Sequence, residues 1–247
     1  MAELTSDVGH RTTSRPSFFV WMAGLCVLYA FGGFTPTYFA PLAADSLREV
    51  SPVVHIHGVL FFLWTLMFLA QTWLVSSHRT ATHRTLGMAG ISLATAMVVF
   101  GLIVNLLANS KRMQLGEIEA AYAFGLGGWA SVIGFGSLFL LGIRNIRKPD
   151  RHKRWMLFAT CMILGPAVAR LWLPAFNFEQ PPALLIFATV NVMFVACLVY
   201  DWRTLGKPHT VTLVGGGAVI AKQLLVPAVF TTQVWQTTYD KLLLLVQ

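Results

Sequence analysis

Long apolar runs separated by short polar stretches dominate the chain. A helix needs about 20 apolar residues to span hydrocarbon. Six stretches approach or exceed that length: Ser17–Ala40, Val53–Val75, Thr85–Leu107, Glu119–Ile143, Trp155–Phe176 and Ala183–Tyr200. A seventh, Val211–Phe230, is weaker because it contains Lys222, and Gly215-Gly216-Gly217 lowers its helix propensity. The pattern predicts an all-α membrane protein, a bundle of six or seven transmembrane helices. It divides the chain into a polar tail over 1–16, a six-helix bundle over 17–210, and a seventh helix with a C-terminal tail over 211–247.

Several boundaries have a local cause. Ser51-Pro52 reads as an N-cap followed by proline at the first helical position, so the second span starts there. Pro181-Pro182 opens the sixth span in the same way, and Asn177-Phe178-Glu179-Gln180 is a tight connector before it. Gly165-Pro166 lies inside the fifth span. Proline removes a donor and crowds the carbonyl of Met162, which predicts a kink.

Composition sharpens this reading. Of 247 residues, 56% are hydrophobic and 11% charged, and the mean hydropathy is +0.65. Soluble domains carry about 25% charged residues, so a soluble globule and a disordered chain are both excluded. The three cysteines (Cys26, Cys161, Cys197) lie in apolar runs with no zinc or disulfide spacing. Twelve Lys and Arg fall in the segments on one side of the predicted spans, from Arg11 and Arg15 through the Arg144–Arg154 cluster to Lys207. Four fall on the other side (Arg48, Lys111, Arg112, Lys241). The asymmetry places the N-terminus in the cytoplasm. It also accounts for the net charge of +8 through attraction to an anionic leaflet, with no nucleic acid.

Buried polar groups are costly in a bilayer and therefore informative. In the second span His57, Trp64, Gln71 and His78 recur every seven residues and share one stripe. His55 lies about 200° around the helix from His57, on a stripe with Val59, Phe62, Leu66 and Leu69. It is expected near lipid headgroups, and the His-x-His pair is a poor bidentate metal ligand. His57 sits near the outer end. His83 and His152 sit at the inner end, as a two-site electron carrier would require. The alternatives are interhelical hydrogen bonds for His57 and Gln71, and headgroup contacts for His83 and His152.

Arg170 lies deep in the fifth span. Its expected partners are Glu117, Glu119, the carbonyl freed by Pro166, or an anionic group of a bound molecule such as a propionate or lipid phosphate. Lys222 is expected to snorkel; with no Asp in the second to sixth spans as counterion, a retinal Schiff base is disfavoured. Asn105, Tyr122 and Asn191 read as interhelical contacts. No nucleophilic triad, P-loop or dinucleotide motif is present.

Two blocks carry a resemblance. The first is His55-Ile56-His57-Gly58, Trp64, Gln71 and His83-Arg84-Thr85-Leu86-Gly87. The second is Arg151-His152-Lys153-Arg154-Trp155-Met156 with Arg170-Leu171-Trp172-Leu173-Pro174. Together they resemble a family of uncharacterised bacterial multi-pass membrane proteins. The resemblance covers roughly residues 50 to 175 and implies an inner-membrane protein in which His57, His83, His152 and Arg170 matter. A looser likeness links the chain to transmembrane b-type cytochromes, which clamp haem between histidines of facing helices.

The expected function is binding of haem b or a transition metal, for electron transfer or assembly of a respiratory complex. His57, His83 and His152 would be the metal ligands, and Arg170 and Gln71 further cofactor contacts. His57 and Arg170 would form an outer site, with Arg170 on a propionate; His83 and His152 would form an inner one. A non-catalytic scaffold of a larger complex and a small-solute transporter kinked at Pro166 are the alternatives.

Overall fold

The computed structural model describes residues 17–47 and 51–246. The tail expected over 1–16 and Arg48 lie outside the described residues. The fold is all-helical. Helix α1, Phe18–Ala43, contains a π-helical turn at Thr35–Phe39, where Pro36 supplies no amide hydrogen. Helix α2, Pro52–Ser76, starts at the proline after Ser51, as its spacing predicts, although the Ser51 side chain makes no cap bond. Helix α3, Thr80–Gln114, overshoots its apolar run at both ends, and α4 spans Ile118–Arg144.

The fifth span is broken in two. Helix α5, Pro149–Ile163, and α6, Gly165–Trp172, meet at Gly165-Pro166 and are bent by 53°. Helix α7, Ala183–Leu205, begins after Pro182, and α8 covers Thr210–Val229. Among the described residues six helices are long and apolar enough to cross a membrane, and the bent pair makes a seventh if it is taken as one span. The Lys222-bearing run is among the six, so the weak point of the topology is the proline break. A short amphipathic helix, α9 (Gln233–Leu243), stands where a C-terminal tail is expected. Its Tyr239 is fully buried against α3 and α4, donates to Asn105 Oδ1 (3.0 Å) and accepts from Asn109 Nδ2 (3.1 Å). Burial pushes its phenol up to about 12, so it stays a donor.

Helix α5 is the axis of the bundle, and every residue from Arg154 to Met162 is buried. It packs on α4 and α8, and also on α1. Close approach explains two glycines of α8. A Cβ at Gly215 would sit 2.6 Å from the Phe158 ring, and one at Gly216 would sit 2.1 Å from Phe194. At the end carrying the arginine cluster, Arg154 and Asp201 form a buried ion pair. Asp201 also accepts from Thr212 Oγ1 and the His209 amide, while Arg154 donates to the Asp150 carbonyl. This pair ties α5 to α7 and α8. The spans are therefore not free of aspartate: α7 runs past the expected boundary at Tyr200 to Leu205 and takes Asp201 into the core.

Lys222 does not snorkel. Its Nζ points into the bundle, donating to the Met162 carbonyl (2.8 Å) and to Ser131 Oγ (3.1 Å). Met162 is four residues before Pro166, so its carbonyl is the one the proline leaves unbonded. The ammonium stabilises the break by filling that orphan acceptor.

Candidate functional site

The helices bring His83 and His152 together. His83 is in the first turn of α3 and His152 in the first turn of α5, both at the arginine-rich end. Their ring centroids are 6.3 Å apart and the planes are at 87°. The His152 Nδ1 lies 2.9 Å from the carbonyl of Gly142 in α4. A neutral imidazole donating there leaves Nε2 as its free acceptor. The His83 Nδ1 is buried and makes no hydrogen bond, and neither does the buried Oε1 of Gln71. The Gln71 backbone lies beside the His83 ring, and its Nε2 faces Gly87. Three polar groups with unused bonding capacity thus converge from α2, α3 and α5.

Space adjoins them. His83, Gly87 and Gly90 share one face of α3, at spacings of four and three residues. A Cβ at buried Gly90 would meet no atom within 4 Å, and one at Gly87 would meet only Gln71 Nε2 at 3.6 Å. Elsewhere in the bundle, glycines such as Gly125 and Gly128 are already filled by Tyr239 and Asn105. Arg84, Arg79 and Arg151 are exposed at the same end.

His57 is far from this pair. It lies fourteen residues before Gln71 on α2, roughly 20 Å along the axis at about 1.5 Å per residue. Its ring packs on Phe61 (4.1 Å between centroids), its Nδ1 is buried without a hydrogen bond, and the charge of Arg170 acts on it. Arg170 donates to the Pro166 carbonyl (2.9 Å) and lies over Phe34, 4.6 Å from the centroid. No carboxylate comes within 4.0 Å of it among the described residues; Glu117 instead reaches Arg112 (3.7 Å). The Nδ1 of His55 bonds the Tyr38 hydroxyl at 2.7 Å. The His-x-His pair diverges, as its spacing predicts. His78 lies past the end of α2 at φ +59°.

Three or more metal-ligating His, Cys, Asp or Glu side chains nowhere come together among the described residues. His57, His83 and His152 therefore do not form one metal centre; only the last two are neighbours. Sequence reasoning overlooks the Gly142 carbonyl, because a backbone acceptor carries no residue-type signal. It also overlooks Asp201, a lone acid at the end of an apolar run opposite Arg154.

Comparison with known proteins finds no matching family, no matching curated protein and no matching solved structure.

Proposed function

We propose that the protein is an integral membrane haem protein that holds haem b between His83 and His152 for electron transfer with a respiratory partner. The observation that carries this reading is the separation of the two rings, 6.3 Å between centroids. Imidazoles opposed across one metal, each bonded at about 2.0–2.1 Å, have centroids about 6–6.5 Å apart. Two ligands are too few for a bare metal ion, which typically takes at least three protein ligands. They suit a haem, whose porphyrin supplies the remaining four nitrogens.

The surroundings support the same choice. The Gly142 carbonyl orients the His152 ring, as outer-shell acceptors do for ligating histidines. The face of α3 beside His83 carries no side chain at Gly87 and Gly90, and a Cβ at Gly90 would meet no atom within 4 Å. Arg84 and Arg151 would meet the propionates at the water boundary. His83 and His152 would hold the haem and Arg84 and Arg151 would neutralise its charge, while the group itself would supply one-electron chemistry. The arginine excess at this end supports placing it in the cytoplasm of a bacterium, with the chain in the inner membrane. His57 is a lone imidazole beside a guanidinium, an arrangement that disfavours a second metal ion.

The test is the absorption spectrum of membranes from cells overexpressing the chain with haem supplied. A Soret band that rises with expression and is lost in both His83→Ala and His152→Ala supports the reading. A colourless protein, or a band indifferent to both substitutions, refutes it.

A further inference from the structure

At the arginine-rich end, α1, α2 and α3 enclose a groove of about 710 Å³, lined by Gly24 of α1, Leu66, Leu69 and Leu74 of α2, and Thr82 and Leu86 of α3. From Leu74 to Leu66 it runs about 12 Å along α2, at about 1.5 Å per residue. That is close to half of a hydrocarbon core about 30 Å thick, the depth of one acyl chain. The deep end, around Leu66 and Gly24, is apolar; the polar groups stand at the shallow end. Trp21, in the first turn of α1, and Trp73, in the last turn of α2, form the rims and are 66% and 54% exposed. Indoles at helix ends of this kind sit where hydrocarbon meets headgroups. Neither indole N–H, nor the Thr82 hydroxyl, nor the Arg79 guanidinium has a hydrogen-bond or ionic partner among the described residues. Arg79 lies in the turn between α2 and α3, where its amide donates to the carbonyl of Leu74 in the groove wall at 2.8 Å. The Ser17 amide donates to Ser76 Oγ at 3.2 Å and ties the start of α1 to the end of α2. None of the three helices that form the groove carries an Asp or Glu.

We propose that this groove binds one anionic diacyl phospholipid from the leaflet at the arginine-rich end. An acyl chain lies along α2 from Leu74 to Leu66. The Trp21 and Trp73 N–H groups and the Thr82 hydroxyl stand at the level of the glycerol esters and donate to their carbonyls. The Arg79 guanidinium takes the phosphate, whose oxygens its planar fork matches in pairs. Charge complementarity selects an anionic headgroup, because the groove meets a free guanidinium and no carboxylate. Arg79 is not a haem contact in the reading above, so the site stands whether or not haem binds beside it.

The experiment is thermal unfolding of the purified full chain, without added haem, in neutral detergent at matched ionic strength. The additions compared are dioleoyl phosphatidylglycerol and dioleoyl phosphatidylcholine in mixed micelles, glycerol phosphate alone, and potassium chloride. At about a hundredfold excess over Kd, phosphatidylglycerol raises the unfolding temperature of wild type by about 5–10 °C, more than phosphatidylcholine does. Arg79→Gln reduces that rise to the phosphatidylcholine level. Gly24→Leu abolishes it, because the new side chain enters the groove where a Cβ meets no atom within 4 Å. Arg203→Gln, which removes an exposed charge at the same end but away from the groove, retains it. Equal rises with the two lipids, a full-sized rise in Arg79→Gln or Gly24→Leu, or the same rise with glycerol phosphate alone overturns the proposal. So does no rise beyond the chloride control, or an equal loss in Arg203→Gln and Arg79→Gln, which net charge alone would explain. Should Gly24→Leu not fold, Arg79→Gln, a change at an exposed turn, carries the comparison.

Discussion

The Nδ1 of His152 is anchored on the carbonyl of Gly142, 2.9 Å away on the neighbouring helix. This contact fixes which nitrogen of His152 is free and where it can point. It holds a ring at the mouth of α5 in one orientation, and that ring stands perpendicular to the ring of His83.

A Cβ at Gly90 would meet no neighbouring atom within 4 Å. Its neighbourhood is empty, so Gly90→Ala is expected to raise stability by roughly 0.5–1 kcal/mol through helix propensity. Gly90→Phe should fill the space and prevent haem uptake while the far-ultraviolet dichroism stays helical. Gly216→Ala, which meets Phe194 at 2.1 Å, should lower the unfolding temperature instead. Thermal scans and haem titration of the three variants check this.

Breaking the Arg154–Asp201 pair should be costly. Arg154→Met leaves a buried carboxylate without its cation and should destabilise by about 3–5 kcal/mol. Arg154→Met with Asp201→Leu should recover most of that, since two apolar side chains replace two charges. Thermal unfolding in detergent measures both; a double variant no more stable than Arg154→Met would show that the cost is not uncompensated charge.

Mild acid should loosen the turn between α7 and α8. Neutral His209 accepts from the Val211 amide through Nδ1 at 3.1 Å. Burial, and then the nearby Arg154 charge, hold its pKa below the usual histidine value. The unfolded chain therefore binds the proton more readily than the folded one. The stabilising contribution is complete above about pH 6.5 and declines as pH falls towards the lowered folded value. Protection of the Val211–Leu213 amides, corrected for the pH dependence of intrinsic exchange, should fall as pH drops below about 6.5, and His209→Asn, which keeps a cap acceptor, should remove the dependence.

The apolar runs, the proline starts and the break at Gly165-Pro166 were legible because each rests on chain-local physics. Span length, a missing amide hydrogen and the seven-residue stripe that buries Trp64 (4% exposed) need no tertiary information. The expectations that failed involve contacts between distant segments. Lys222 turned inward because Pro166 leaves open the Met162 carbonyl, sixty residues earlier in the chain, and Asp201 was buried because Arg154 awaits it. The neighbourhood of His83 and His152 was anticipated from their shared end of the bundle. Their mutual angle and the Gly142 anchor depend on packing of α3, α4 and α5, which residue spacing does not encode.

The most direct test is low-temperature electron paramagnetic resonance of the purified chain reconstituted with ferric haem. Wild type and His57→Ala should each bind one haem per chain and give the highly anisotropic low-spin signal characteristic of two perpendicular imidazole planes. His83→Ala and His152→Ala should each lose it, leaving high-spin or unbound haem. A wild-type sample without low-spin haem, or a signal that persists without His83 and His152 but vanishes without His57, would contradict the assignment.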